Sequence, residues 1–115
     1  MSIEVNGLVI ETDEQGYLLD PNLWTEEVAK KIAEQEGVEL TDTHWGLIRY
    51  FRDFYEMKQR HPTMHELVLT QGKHHGESFQ DAEAYRDHLW KLFPKGPVIE
   101  LSKLAGLPKP EEVVS

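Results

Sequence analysis

The side chains that could do chemistry in these 115 residues are imidazoles, guanidiniums and hydroxyls, because the chain has no cysteine. That excludes disulfides, thiolate metal sites and thiolate nucleophiles. His61 and His65 stand one helical turn apart, and His74 and His75 follow. Converging imidazoles could hold a divalent ion. Adjacent histidines rarely chelate one ion together, however, and no carboxylate–histidine pattern extends the pair. The expectation is solvated loop histidines, no metal and no cofactor. His44 beside Trp45 invites a catalytic role, but a capping or buried hydrogen-bonding imidazole accounts for it with less. Ser102 sits near a helix terminus with no base placed for it. No Ser-His-Asp constellation and no glycine-rich phosphate loop has support. These residues point away from an enzyme.

The cations have a pattern of their own. Arg49 and Arg52 fall on one side of a predicted helix, and Lys58 and Arg60 follow at its end. With His65 they are candidate contacts for a protein partner or a nucleic acid. The net charge of −9 is unevenly spread: residues 1–43 carry −9, residues 44–75 carry +2, and residues 76–115 carry −2. Overall acidity opposes nonspecific nucleic-acid binding, so only the middle segment could support it, and weakly.

The elements that must position these groups follow from local signals. Asn6-Gly7 between Ile3-Glu4-Val5 and Leu8-Val9-Ile10 predicts a hairpin, because its turn needs positive φ twice. Tyr17-Leu18-Leu19 is expected to add a short strand. Asp20-Pro21 turns into a first helix whose stripe is Trp24, Val28 and Ile32, stopped by Gly37. Thr41 caps a second helix, rich in aromatics, that runs to about Lys58. Thr63-x-x-Glu66 is a capping box opening a short helix that Gly72 closes, with Lys73-His74-His75 in the loop beyond. This pair resembles a helix-turn-helix, although most such pairs are packing units. Ser78 is expected to cap a further helix with Ala82, Tyr85, Leu89 and Leu92 on its buried face.

The last stretch organises the rest. Pro94 ends that helix, and Pro97 restarts the chain at a first helical position. Val98, Leu101 and Ala105 follow at helical spacing, and Gly106 is a left-handed stop. Pro108 and Pro110 then stiffen an arm that leads to a free carboxylate, and the sequence leaves open whether that arm folds onto the body or extends from it. The fold class is α+β, mainly α: a small N-terminal hairpin sheet on about five helices, with a C-terminal arm. We expect a single domain over residues 1–115, divided into a hairpin region (1–19), a helical body (20–93) and the last helix with its arm (94–115).

The motifs LT-x-x-HW from Leu40, LFP-x-GP from Leu92 and AGLPKP from Ala105, in that order, resemble the DsrC/TusE/DsvC family of sulfur-relay proteins. The resemblance runs from the hairpin to Pro110 and implies the same fold. It also implies an arm whose terminal cysteine carries sulfur, with a second cysteine eleven positions upstream in some members. Aligned on Ala105-Gly106-Leu107-Pro108-Lys109-Pro110, those positions hold Val113 and Ser102. His65 stands where the family has arginine in P-x-x-R.

The resemblance therefore implies a noncatalytic regulatory protein. It would dock to siroheme sulfite reductase, in the manner of that enzyme's gamma subunit, or to small sulfurtransferases. Lys103, Gly106, Leu107, Pro108, Lys109 and Pro110 would be its docking elements. The alternatives are a sulfur carrier for sulfite reduction or tRNA 2-thiouridine synthesis whose cysteines were replaced, and a DNA-binding regulator using the helix pair. A missing export signal and the lack of any apolar run near the roughly 20 residues of a membrane span point to the cytoplasm.

Overall fold

The computed structural model describes residues 1–74 and 82–110. Strands β1 (Ser2–Val5) and β2 (Leu8–Glu11) pair antiparallel, with Ile3 opposite Ile10 and Glu4 opposite Val9. Asn6 and Gly7 take φ of 51° and 80°, the two positive values that the turn requires. Ile3 and Ile10 are buried on one face and Val9 is exposed on the other, while Leu8, on the face of Ile10, stays exposed beside the turn. Alternation across the pleat thus gives the sheet one packed face and one open one. Tyr17–Leu19 forms no further strand; Leu18 makes a single bridge to Thr12. Asp13 is the reason, since its carboxylate accepts from the amides of Gln15 and Tyr17 at 2.8 and 3.0 Å and closes a tight turn.

Five helices follow. α1 (Glu26–Glu36) starts two residues after Trp24, because the Thr25 side chain accepts from the Val28 amide and caps it. Trp24 therefore stands outside the helix whose stripe it was expected to join. α2 (Asp42–Lys58) has a reciprocal cap. The Thr41 amide donates to His44 Nδ1 at 3.3 Å, so that nitrogen is an acceptor and the ring is neutral. Burial favours this state, holding the His44 pKa below its ordinary value against the pull of Glu39. α3 (Met64–His74) opens on the expected box, with Thr63 and Glu66 exchanging amide-to-side-chain bonds of 3.0 and 3.1 Å. It runs through Gly72 to His74, so Lys73 and His74 are helical rather than looped. One glycine costs only about 1 kcal/mol, too little to stop a helix that tertiary packing holds.

α4 (Ala82–Leu92) and α5 (Pro97–Leu104) complete the body. α5 lies against α1, α2 and α4 and is buried along most of its length. α3 packs on α4, and α2 packs chiefly on α5, so the helix-turn-helix-like α2–α3 pair is not itself the main packing unit. Phe93, just after α4, is fully buried and meets His44 edge-on at 5.2 Å. No helix among the described residues is long and apolar enough to cross a membrane. The His74 side chain, His75, Ser78, Val113 and the terminal carboxylate lie outside the described residues.

Candidate functional site: the seat of the C-terminal arm

A helix leaves its last carbonyls without partners, and buried ones must be satisfied. At the end of α5 every one is accounted for. The Ala105 amide donates to Leu101 O at 2.9 Å, the Leu107 amide to Ser102 O at 3.0 Å, and the Gly106 amide to Lys103 O at 3.1 Å. The last two bonds make a Schellman turn with Gly106 left-handed at φ 69°. The next two carbonyls are taken by side chains far away in sequence. Trp24 Nε1 donates to Leu104 O at 2.8 Å, and an Arg52 guanidinium nitrogen donates to Ala105 O at 2.7 Å. The guanidinium also lies over the Trp24 ring, 4.3 Å from its centroid. A cation at this end complements the helix dipole as well.

Beyond the turn the chain stays on the body. Leu107 and Pro110 are buried, and Pro108 is half-buried. His61 Nε2 lies 2.7 Å from Pro108 O; a carbonyl only accepts, so that nitrogen carries the proton and donates. Tyr55 meets the His61 ring edge-on at 5.2 Å. Burial lowers the His61 pKa, and the Pro108 carbonyl works against that. The arm is thus seated on the body as far as Pro110. Two clefts flank it and share Tyr55 and Gln59. One, of about 440 Å³, has Arg60, His61 and Pro108–Pro110 on its walls; the other, of about 450 Å³, has Asn22, Arg52, Glu56 and Leu107.

The candidate residues of the sequence fall into three groups. Gly106, Leu107, Pro108, Lys109 and Pro110 come together at this seat, and of these Lys109 is the exposed one. Lys103 points to the opposite side of α5, where it pairs with Glu36 at 2.5 Å and lies 5.2 Å from the Tyr17 ring centroid. Glu36 also receives Lys95 at 3.5 Å, and the two lysines outweigh desolvation to hold its pKa down. Tyr17 is pushed up to about 12 by burial and then by Asp13, Glu36 and Glu100. Arg49, Lys58 and His65 are exposed, whereas Arg52 is turned inward and Arg60 is closed on Glu66 by bonds of 2.7 and 2.8 Å. The cations of the nucleic-acid reading are therefore divided among different tasks. Among the described residues, no three metal-ligating side chains converge.

Sequence reasoning missed Trp24, Arg52, Tyr55 and His61 as parts of the seat. One signal was available for Trp24. Thr25 as a cap puts the tryptophan outside α1, and a buried indole N–H then needs an acceptor.

Ser102, at the upstream cysteine position, is fully buried in α5, and its hydroxyl has no hydrogen-bond partner among the described residues. A family profile described as DsrC like protein matches residues 4–114. The chain belongs to the DsrC-like family. The sulfurtransferase TusE of Pectobacterium atrosepticum is 41% identical over 97% of this chain and 99% of its own. The solution structure of Allochromatium vinosum DsrC superposes with a TM-score of 0.84 at 38% identity, covering 99% of this chain and 100% of that one. The oxidized gamma subunit of the dissimilatory sulfite reductase of Archaeoglobus fulgidus gives the same TM-score at 34% identity, covering 99% and 100%. The family of sulfur-relay proteins expected from the motifs is thus the right one, and so is the mainly α fold with its small hairpin.

Proposed function

We propose that this chain is a binding protein of a sulfur relay that docks where a sulfur-carrying relative docks and accepts no sulfur itself. The observation that supports this is a seat in which Trp24, Arg52 and His61 each donate to a carbonyl of the arm or of the helix end that launches it, while the two reactive positions hold serine and valine. A hydroxyl with no base beside it and an aliphatic side chain offer no thiolate, and sulfane sulfur needs one. On this reading the chain is not an enzyme. Gly106 and Leu107 fix the course of the arm, Lys103 braces the far side of α5, and Lys109 with the half-exposed Pro108 presents it. The partners would be sulfite reductase or small sulfurtransferases, and the role regulatory, by occupying a docking surface.

The test is competition. A small sulfurtransferase passes labelled sulfane sulfur to a cysteine-bearing relative while this chain is added in increasing excess. The expected result is concentration-dependent slowing, weaker for a chain that ends at Pro110. Transfer that proceeds at an unchanged rate under excess would overturn the docking role.

A further inference from the structure

The two clefts beside the arm differ in one respect that their similar volumes conceal. In the cleft that includes His61, the guanidinium of Arg60 is closed by a bidentate bond to Glu66. In the other, Arg52 has no ion-pair partner within 4.0 Å among the described residues. A guanidinium has five N–H donors in a planar fork. Arg52 commits one side to Ala105 O and a face to Trp24. Among the described residues no other hydrogen bond fills its remaining donors, although burial is heavy enough to lower its pKa against Glu56 and Asp53. A half-buried charge left this way is costly unless an anion completes it.

We infer that the cleft of Arg52, Tyr55, Asn22 and Leu107 is a binding site for a small oxyanion, held on the free edge of the Arg52 guanidinium. The inference is independent of the docking role. The ligand class follows from the walls. The guanidinium fork matches two oxygens of a carboxylate or of a tetrahedral anion. The Asn22 side-chain carboxamide and the Tyr55 hydroxyl have no hydrogen-bond partner among the described residues and can add donors, and Leu107 supplies an apolar wall. Glu56 is the counter-argument and also a handle. It lies on the same wall, one turn beyond Arg52, exposed and unpaired with it. A carboxylate at that spacing can swing across and compete with a bound anion.

The experiment is an amide NMR titration of the full chain with sodium sulfate and, separately, sodium acetate, each against sodium chloride at matched ionic strength. Saturable shifts centred on Asn22, Glu56, Gln59 and Leu107 are expected, with a midpoint on the order of millimolar. Saturation by sulfate alone assigns a tetrahedral ligand, and saturation by acetate alone assigns a carboxylate. Asn22→Ala should weaken binding about threefold and Arg52→Lys about tenfold, since a lysine lacks the fork. Glu56→Gln should tighten it about twofold. Shifts that match those of chloride, or saturation that Asn22→Ala and Glu56→Gln both leave unchanged, would overturn the site.

Discussion

Gly7 and Gly106 both hold a positive φ, 80° and 69°, yet the turns they make rest on different physics. A Cβ on Gly7 would meet nothing within 4 Å. One on Gly106 would fall 2.4 Å from Trp24 Cδ1 and 2.8 Å from two further atoms of that side chain. The hairpin turn needs glycine for its backbone alone. The turn that launches the arm needs glycine for its backbone and also because an indole is pressed against it. The difference shows which end of the molecule is held by tertiary contacts. The hairpin leaves Leu8 and Val9 in solvent, while the arm is fixed by Trp24, Arg52 and His61, which come from three separate stretches of chain.

Substituting both glycines by alanine sharpens that comparison most. Gly106→Ala combines left-handed strain with overpacking and should cost about 3 kcal/mol, lowering Tm by 10 °C or more on that scale. Gly7→Ala should cost only about 1 kcal/mol. Equal shifts in thermal denaturation would erase the distinction. Trp24→Phe keeps the ring and removes the donor to Leu104 O, so a loss of about 1.5 kcal/mol is expected in urea denaturation. Val9→Thr on the open face of the hairpin should change stability by less than about 0.5 kcal/mol. Ser102→Ala has the opposite sign. It removes a buried hydroxyl without a partner and should stabilise by about 1 kcal/mol; a loss of stability would mean the hydroxyl is bonded.

The smallest expected effect is in pH. Burial holds the pKa of His61 and of His44 below 6.5, so the unfolded chain takes up protons first as pH falls. Their contribution is full above about 6.5 and declines as pH drops through that value toward the folded pKa. Glu100 works the other way, because burial raises its pKa and its folded carboxyl protonates early. Denaturation midpoints measured from pH 7.5 down to 5 should therefore fall gently, and His61→Gln should flatten part of the slope.

The parts of this fold legible in the sequence are those written in adjacent residues. Asn6-Gly7, the Thr63-x-x-Glu66 box, Pro97 at the start of α5 and Gly106 after it each act within a few positions, and each is where it was expected. The seat is different. Trp24 reaches Leu104 across 80 positions, Arg52 reaches Ala105 across 53, and His61 reaches Pro108 across 47. No periodicity encodes such pairings. Arg49 and Arg52 looked alike on a helical wheel, yet only Arg52 faces the end of α5. Lys103 pairs with Glu36, 67 positions away, and nothing in its neighbourhood of sequence announces that partner. Gly72 misled in the other direction: a local stop signal was overridden by the packing of α3 on α4.

The central claim is that this chain keeps the frame of a sulfur-relay protein without its thiol. Intact-protein mass spectrometry after incubation with a persulfide donor tests it most directly, on the native chain and on Val113→Cys. In the variant the introduced thiolate would attack the terminal sulfur of the donor's persulfide, forming one S–S bond as the donor thiolate leaves. The account predicts no added mass for the native chain and one sulfur atom for the variant. Sulfur on the native chain, or none on a folded variant, would contradict it.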